Sequence, residues 1–441
     1  MYNRAIYRFV CSETEPVVTT HAGKVRGYLV NDIYTFHGIR YAQAERFQMP
    51  RPVTWEGIAD AQDYGYICTP THDTEIFGDI TAPHRYWLQS EHCQYLNIWT
   101  QELNPQAKKP VVVWLHGGGF VSGSAIELEC YDGENMARYG DVVCVSLNHR
   151  LNILGYLDLS DYGEEYANSG IVGMEDIVMA LKWVRDNIDQ FGGDPDNVTV
   201  AGQSAVCMSV WCLLHSPKAR GLFRRAILQS GYGFAKADRT EEMDIRAASA
   251  LMERMGVSTI RQLRACGAAE LRDQWYAVKE EFGELGWGPH ADGIVIDESV
   301  LDPTASALWD ADILIGSTGN DIGWEDGYPL RRGAIRFGEN SLRNGRKPVY
   351  LYYFDRKLPG DDAGAFHSAE LWYEFGTLSR CWRPMTPWDY TLSDIISSYW
   401  ANFAKTGDPN GPGLPHWPAY TRDCPAEMLL ADTVESRTQR P

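Results

Sequence analysis

Two runs of this sequence are apolar without alternation, within PVVVWLHGGGF at residues 110–120 and DVVCVSLNHRL at residues 141–151. Strands that are buried on both faces have this pattern, as in a parallel sheet covered by helices. Apolar residues then recur at helical spacing within residues 173–193, where two glycines end the run. A strand-like segment at 197–202 and an apolar helical run at 205–214 follow. This order predicts a doubly wound α/β fold with right-handed crossovers.

The rest of the chain fits one body built around that core. Short β-rich runs with turn signals precede it, namely KVRGYLV, IYTFHGI and YLNIWTQ. Residues 232–284 become helical and charged with no strand between the helices, which predicts an inserted helical cap. The sheet resumes at 311–318 and 348–355, and an amphipathic helix at 392–407 ends at a glycine. No repeat or linker separates a second domain, so we expect residues 1–441 to form a single domain.

Charge and hydropathy exclude several classes of partner. The chain has 59 acidic against 40 basic residues and a net charge of -19, which repels phosphate backbones and anionic lipids. No apolar run approaches the roughly 18 residues that cross a bilayer. The N-terminus lacks an apolar stretch followed by a small-residue cleavage site. We therefore expect a cytoplasmic protein that binds neither nucleic acid nor membrane.

The cysteines and histidines give no metal signal. Ten cysteines are scattered without a C-x-x-C pair, and the histidines form no helical ligand pair. We expect most of the cysteines to be small buried residues. No metal and no cofactor are predicted.

The stretch VTVAGQSAVCMSV places Ser204 between a buried strand and a helix. A serine on that sharp turn has its hydroxyl exposed at the C-terminal edge of the sheet, beside N–H groups that can hold an oxyanion. The G-x-S triplet is common by chance, so it carries little weight alone. HGGGF, directly after the strand VVVWL, adds an independent signal, because consecutive glycines can turn backbone N–H groups inward. The alternative interpretation of HGGGF is a glycine-rich turn without a catalytic role.

A serine nucleophile also needs a histidine base and an acid, in the chain order serine, acid, histidine. The segment ILIGSTGNDIGWEDG offers Asp321 and Glu325 on the loop after a strand, and DDAGAFHSAELWYEFG offers His367. The imidazole activates the weakly nucleophilic hydroxyl, and the carboxylate fixes the imidazole tautomer. A lone aspartate more often caps a helix or solvates a turn, and a lone histidine more often lies on the surface. The residues alone therefore do not decide whether Asp321 or Glu325 is the acid.

Together these motifs resemble the type B carboxylesterases, in the carboxylesterase and cholinesterase branch of the α/β-hydrolases, and particularly the bacterial members. The resemblance runs colinearly along nearly the whole chain. It is carried by VVTTHAGKVRGYL, FHGIRYA, ERFQMPRP, SEHCQYLNIWT, VVVWLHGGGFVSGSA, CVSLNHRLNILGYLDL, ALKWVRDNIDQFGGDPDNVTVAGQSA, LFRRAILQSG, GAFHSAEL and YWANFAKTGDPN. It implies an α/β-hydrolase fold and a serine carboxylic-ester hydrolase acting on a small-molecule ester through an acyl-enzyme.

The resemblance also implies the roles of individual residues. Ser204 becomes the nucleophile and His367 the general base and acid. The acid position, five residues after Gly316, falls on Asp321, where the family most often has glutamate, and Glu325 is the alternative. The implied oxyanion hole consists of the backbone N–H groups of Gly118, Gly119 and Ala205. Three scaffold pairs are implied: a disulfide Cys68–Cys93, unless a reducing cytosol keeps both as thiols, and the ion pairs Arg46–Glu91 and Arg150–Asp176.

Some positions depart from the family pattern. Val206 replaces the glycine that usually follows the elbow, which we expect to overpack the site by about 1 to 3 kcal/mol and to push the elbow helix slightly outward while Ser204 stays functional. His92-Cys93-Gln94 stands where the family has Asp-Cys-Leu. The 46 residues from Asp321 to His367 are fewer than in larger animal members, which suggests a more open pocket.

Two other functions share these motifs. A non-catalytic binding protein can have the same fold, although such relatives typically lack the nucleophile. A hydrolase of amides, thioesters or carbamates can use the same residues, because substrate choice depends on the pocket rather than on the scaffold.

Overall fold

A computed structural model describes residues 8–69, 84–231, 241–282, 288–301, 308–321 and 328–438. Its strands, in chain order, are β1 (Phe9–Val10), β2 (Val17–Thr19), β3 (Lys24–Arg26), β4 (Tyr28–Val30), β5 (Ile33–Arg40), β6 (Ile58–Asp60), β7 (Ile67–Cys68), β8 (Gln89–Ser90), β9 (Tyr95–Thr100), β10 (Lys109–Leu115), β11 (Val143–Leu147), β12 (Gly193–Gln203), β13 (Arg225–Gln229), β14 (Asp312–Thr318), β15 (Tyr350–Phe354), β16 (Ala426–Leu430) and β17 (Val434–Thr438).

The helices lie between these strands. In chain order they are α1 (Glu134–Gly140), α2 (Asn152–Tyr156), α3 (Val172–Asn187), α4 (Ala205–Leu214), α5 (Glu241–Arg254), α6 (Ile260–Ala265), α7 (Ala268–Phe282), α8 (Tyr328–Arg343), α9 (Leu371–Glu374) and α10 (Pro387–Thr406). Short 3-10 segments occur at Glu129–Tyr131, Ser160–Tyr162, Glu164–Tyr166, Ser169–Ile171, Ile188–Phe191, Glu298–Leu301 and Leu378–Arg380. Within the described ranges, no helix combines the length and apolar character that crossing a bilayer requires.

A twelve-stranded sheet forms the centre of the molecule, in the order β1-β4-β5-β9-β11-β10-β12-β13-β14-β15-β16-β17. The pairs from β11 to β16 are all parallel, and the pairs at both edges are antiparallel. The mostly parallel sheet flanked by helices confirms the predicted fold class. Parallel strands bring their C-terminal ends to one edge, where ligands bind in folds of this kind.

The central strands are buried on both faces. Successive residues of β10 belong to different hydrophobic clusters: Val111, Val113 and Leu115 pack with α3 and α4, whereas Val112 and Trp114 pack with α1 and α10. Side chains of a strand alternate between the two faces of a sheet, so helix layers on both faces require an unbroken apolar run. This packing is the physical origin of the pattern in the sequence.

Local signals predicted several boundaries. The predicted apolar helix coincides with α4, and α10 ends where Gly407 takes a left-handed φ of 84°. Helix α3 ends at Asn187, before the predicted glycines, because a 3-10 turn fills Ile188–Phe191. The predicted cap contains α5, α6 and α7, which pack on α2 and the residues after it, while residues 232–240 and 283–284 of that prediction lie outside the described residues.

The implied scaffold pairs have different outcomes. Both ion pairs are confirmed: Arg46 Nε donates to Glu91 at 2.7 Å, and Arg150 binds Asp176 through two nitrogens, each at 2.8 Å. The implied disulfide is not formed: Cys68 and Cys93 are free thiols, and both are buried. Burial raises the pKa of the Cys93 thiol, and its hydrogen bond with Cys68 raises it further. The reactive thiolate is therefore disfavoured.

Candidate active site

Ser204 lies on a sharp turn between β12 and α4. Its φ and ψ of 65° and -139° are unusual for a residue other than glycine, and such conformations cost about 1–3 kcal/mol. Two backbone bonds hold the turn: the Ser204 N–H donates to the Gln229 carbonyl at 2.9 Å, and the Cys207 N–H donates to the Ser204 carbonyl at 2.9 Å. The sequence-predicted elbow is therefore present in the backbone.

Two glycines lie in close contact with the start of the helix that follows this turn. A Cβ at Gly202 would lie 3.0 Å from the Val206 carbonyl oxygen, and a Cβ at Gly231 would lie 2.8 Å from both the Cys207 Cβ and the Ser204 carbonyl oxygen. Val206 itself is fully buried in the core cluster that contains α3 and α4. The valine side chain is thus a core residue, and Gly202 and Gly231 give the helix its room.

Strand register places the glycine-rich loop beside the serine. Leu115 of β10 pairs with Gly202 of β12, so the residues after both strands leave the sheet side by side. A Cβ at Gly117 would lie 3.4 Å from the Ser204 Cβ. This proximity is what a shared oxyanion site requires.

The backbone of this loop requires glycine at position 118 and favours it at position 119. Gly118 has a φ of 116°, and a Cβ there would lie 2.1 Å from the Ser122 carbonyl oxygen; Gly119 has a φ of 68°. The N–H groups of Val121 and Ser122 both donate to the Gly118 carbonyl at 3.0 Å. Val121 and Ser122 are the donors of the two bonds that close the turn, so neither bond uses the N–H group of Gly118 or Gly119. The Ala205 N–H lies at the first residue of α4.

Two neutral histidines lie under this loop. His116 and His149 are fully buried and stack with ring centroids 5.1 Å apart. Burial lowers the pKa of His116 to about 3, with a further contribution from His149, and burial lowers the pKa of His149 to about 4. Both rings are therefore uncharged near neutral pH.

The predicted acid and histidine meet at the same sheet edge. Asp321 is buried just after β14, where its Oδ2 accepts the Thr318 N–H at 3.2 Å and its Oδ1 contacts the Nδ1 of His367. The loops that carry them are joined, because the Asn320 N–H donates to the Ala365 carbonyl at 2.8 Å and Asn320 Oδ1 accepts the Ala365 N–H at 2.9 Å. Glu325, the alternative acid, lies outside the described residues.

The side chain of Gln203 lies close to the His367 ring. The side-chain Nε2 of Gln203 lies 2.9 Å from the His367 Nε2 and 3.4 Å from its Nδ1. An atom this close to both ring nitrogens lies against the face of the imidazole, so the Gln203 amide packs on the His367 ring. The sequence offered only adjacency to the serine as a signal for this contact, and its role was not predicted.

A pair of buried carboxyl groups lies behind Asp321, and sequence reasoning missed it. Tyr352 donates to Glu370 at 3.2 Å, and the Gln229 side chain donates to Glu374 at 2.7 Å. Burial, followed by the charge of Asp321, raises the pKa of Glu370 to about 8. Burial and then Glu370 raise the pKa of Glu374 well above its usual value. Near neutral pH the Glu370 carboxyl is therefore predominantly protonated. The network also ties Gln229 to the turn that holds Ser204.

The chemistry available at this edge is proton transfer and acyl transfer by side chains. No group of three or more histidine, cysteine, aspartate or glutamate side chains is arranged to hold a metal ion in the parts of the chain that the structure describes.

Comparison with known proteins places these features in a family. The sequence profile of the carboxylesterase family matches residues 14–334 and 326–440. The para-nitrobenzyl esterase of Bacillus subtilis (strain 168) is 33% identical, with 96% of each chain covered. The phenmedipham hydrolase of Pseudarthrobacter oxydans is 31% identical, over 95% of this chain and 96% of its own length.

Solved structures agree with the sequence relatives. An esterase from the anaerobe Clostridium hathewayi, described as able to hydrolyse aliphatic aromatic polyesters, superposes with a TM-score of 0.89 at 34% identity, covering 98% of this chain and 97% of that chain. A thermophilic pNB esterase superposes with a TM-score of 0.84 at 31% identity, covering 96% and 97%.

Proposed function

The chain belongs to the carboxylesterase family and hydrolyses carboxylic esters as a serine hydrolase, and on that premise we propose that Ser204, His367 and Asp321 are its catalytic triad. The observation that carries the assignment is the contact between Asp321 and the His367 Nδ1, at the sheet edge where Ser204 occupies its strained turn. The carboxylate holds the proton on Nδ1 and leaves Nε2 free to act as a base.

In the first half of the reaction, the His367 Nε2 takes the proton of the Ser204 hydroxyl as Oγ attacks the ester carbonyl. The developing charge on the carbonyl oxygen is stabilised by the N–H groups of Gly118, Gly119 and Ala205, which form the proposed oxyanion hole. His367 then gives the proton to the leaving alcohol, and the acyl group remains on Ser204. Asp321 stabilises the imidazolium that exists between these transfers.

In the second half, water replaces the alcohol. His367 takes a proton from the water as it attacks the acyl-enzyme, and the same N–H groups hold the second oxyanion. Collapse of this intermediate returns the proton to Ser204 Oγ and releases the acid.

We propose that the substrates are small to medium esters, including esters that contain an aromatic ring. Relatives named for p-nitrobenzyl ester and aliphatic aromatic polyester hydrolysis support this class. The short interval between Asp321 and His367 supports an open pocket.

Active-site labelling tests the assignment. A fluorophosphonate should react with one equivalent of enzyme, and peptide mass spectrometry should find the phosphonyl group on Ser204, with hydrolysis of p-nitrobenzyl acetate lost in parallel. Ser209, a buried serine on α4 only five residues away, is the matched control: Ser209→Ala should label like the wild type, and Ser204→Ala should not label. Labelling of another residue would refute the assignment.

A further inference from the structure

The backbone at the end of β13 supports the turn that carries Ser204. The carbonyl of Gln229, the last residue of β13, accepts the Ser204 N–H at 2.9 Å. Two residues later, the Gly231 carbonyl accepts the Cys207 thiol at 2.8 Å. Ser230, between them, has a left-handed φ of 51°. A residue other than glycine keeps such a conformation where the surrounding contacts hold it, so residues 229–231 are a fixed support for the nucleophile turn.

Residues 366–374 form a second ordered segment, which contains His367. Successive backbone bonds close its turns, from the Ala369 N–H to the Phe366 carbonyl at 3.0 Å, from the Leu371 N–H to the Ser368 carbonyl at 3.2 Å and from the Glu374 N–H to the Glu370 carbonyl at 3.1 Å. Ser368, directly after His367, has a positive φ of 76°. The segment therefore holds His367 near one end and Glu374 at the other in a defined arrangement.

The side chains of Gln229 and Glu374 join the support to the histidine segment. They are 0% and 1% exposed, and the Gln229 Nε2 donates to the Glu374 Oε2 at 2.7 Å. A buried donor that loses its acceptor costs about 1–3 kcal/mol, so each side chain holds the other in place. This bond runs from the residue whose carbonyl holds Ser204 to the segment that carries His367.

We infer that Glu374 is a positioning residue, which acts through Gln229 to fix the nucleophile turn relative to the segment of His367. The inference rests on the proposed triad. Proton transfer from the serine hydroxyl requires the imidazole at hydrogen-bond distance, and a displacement of about 1 Å can cost on the order of a hundredfold in rate. Small movements of either segment therefore matter more for the rate than for the fold.

Two substitutions of Glu374 separate the hydrogen bond from the packing. Burial, and then Glu370, raises the pKa of the Glu374 carboxyl, which favours the neutral acid. A neutral carboxyl group and an amide are similar in size, and both have an oxygen that accepts a hydrogen bond. Glu374→Gln therefore keeps an acceptor for the Gln229 side chain, whereas Glu374→Met fills a similar volume without one.

The test is kcat and KM for p-nitrophenyl butyrate, expressed per active site titrated with a fluorophosphonate. Glu374→Met should lower kcat about tenfold or more and leave KM within about threefold, because the substrate-binding groups stay in place. Glu374→Gln should keep kcat within about threefold of the wild type. A purely structural role would reduce the number of titrated sites and leave kcat per site unchanged.

Gln229→Met and the double variant Gln229→Met/Glu374→Met form a cycle with these measurements. Each single variant should lower kcat by the same factor, and the double variant should lower it no further, because the same bond is lost in all three. The double variant leaves neither buried group unpaired, so its unfolding free energy should recover above that of the single variants. Recovery of kcat together with stability would overturn the inference.

Glu427→Met is the matched control. Glu427 is also buried, at 2% exposed, and its Oε2 accepts the Arg331 Nε at 3.1 Å across a long sequence separation. It lies near the start of β16, whereas Ser204 follows the end of β12 in the same parallel part of the sheet. Its loss should lower stability and leave kcat per site unchanged. Equal losses of kcat in Glu427→Met and Glu374→Met would contradict a specific role for Glu374.

Ser204→Ala, assayed beside these variants, separates the inference from the triad. If Ser204→Ala still hydrolyses the ester, the triad is wrong. If Ser204→Ala is inactive and folded Glu374→Met has the wild-type kcat, the role of Glu374 is overturned and the triad stands. If a single variant does not fold, the double variant decides, and a wild-type kcat there refutes the inference.

Discussion

Asn320 and Ala365 are joined by reciprocal hydrogen bonds, one from the Asn320 N–H to the Ala365 carbonyl at 2.8 Å and one from the Ala365 N–H to the Asn320 Oδ1 at 2.9 Å. One residue precedes Asp321 and the other lies two residues before His367. Two loops that are distant in sequence are therefore clamped next to the acid and the base. Two contacts therefore hold these loops together, this clamp and the contact between Asp321 and His367.

Asn320→Ala removes the side-chain half of this clamp. We expect kcat/KM to fall about tenfold, because small displacements of catalytic groups are costly in rate. Stability should fall by only about 1 kcal/mol, the usual value of one hydrogen bond. Steady-state kinetics and thermal unfolding of the same preparation measure both effects.

Asn187→Ala is a suitable control for that experiment. Asn187 also holds a distant segment of backbone, because its Oδ1 accepts the His21 N–H at 2.7 Å. It is the last residue of α3 and lies near the start of β12, whereas Ser204 follows the end of β12. It should lose stability and keep kcat/KM. Equal losses of kcat/KM in both variants would contradict a specific role for the clamp.

The choice between the two candidate acids predicts unequal effects. Asp321→Asn should lower kcat by about 10³ to 10⁴, because an amide does not hold the imidazole tautomer that a base requires. Glu325→Gln should keep kcat within about threefold, as is usual for a residue outside the catalytic group. The measurement is kcat at saturating p-nitrophenyl butyrate. A large loss in Glu325→Gln with little change in Asp321→Asn would reverse the assignment.

We expect Val206→Gly to lower the stability of the protein without raising its activity. Val206→Gly removes a fully buried side chain and places glycine in a helix. Roughly 3 kcal/mol of unfolding free energy should be lost, from the deleted methyl groups, the cavity and the helix propensity. Denaturant unfolding monitored by tryptophan fluorescence measures it. A variant as stable as the wild type with a much higher kcat would indicate that the valine overpacks the turn.

Glu370 predicts a pH effect on stability. The pKa of its carboxyl is about 8 in the folded protein, against the ordinary value of 4.5 that applies to the unfolded chain. Between pH 4.5 and about 8 the folded protein therefore retains a proton that the unfolded chain has lost. Stability therefore decreases as pH rises through this window and changes no further above it. In Glu370→Gln the decrease should be smaller, which thermal unfolding at about pH 5 and pH 8 measures. Parallel profiles for the two proteins would show that Glu370 is not the cause.

The local sequence predicted those parts of the fold that depend on burial or on a local motif alone. The continuous apolar strands, α4 and the order of serine, acid and histidine all follow from burial and motif geometry. Helix α8 was not predicted, because a proline and two glycines in Tyr328–Arg343 suggest a loop. Gly338 packs against Tyr420, where a Cβ would lie 3.0 Å from the ring, and that tertiary contact has no local signal. The β16–β17 hairpin was missed as well, because its edge strand β17 is largely exposed.

The candidate site divides in the same way. The motifs predicted Ser204 and His367 with Asp321 or Glu325 as the acid, and the family resemblance favoured Asp321. The structure brings Asp321 and His367 into contact beside the turn that holds Ser204. The contact of Gln203 with His367 and the tie between Gln229 and Glu374 depend on how distant segments meet. Nothing in the local sequence around either glutamine specifies its partner.

The most direct test of the account is burst kinetics with p-nitrophenyl acetate and butyrate on folded wild type and Ser204→Ala. Stopped-flow absorbance measures the fast release of p-nitrophenol before steady turnover. The account predicts a wild-type burst that approaches one equivalent per active site, followed by turnover, with both absent in Ser204→Ala. Wild-type turnover that persists unchanged in Ser204→Ala would contradict acyl transfer through Ser204.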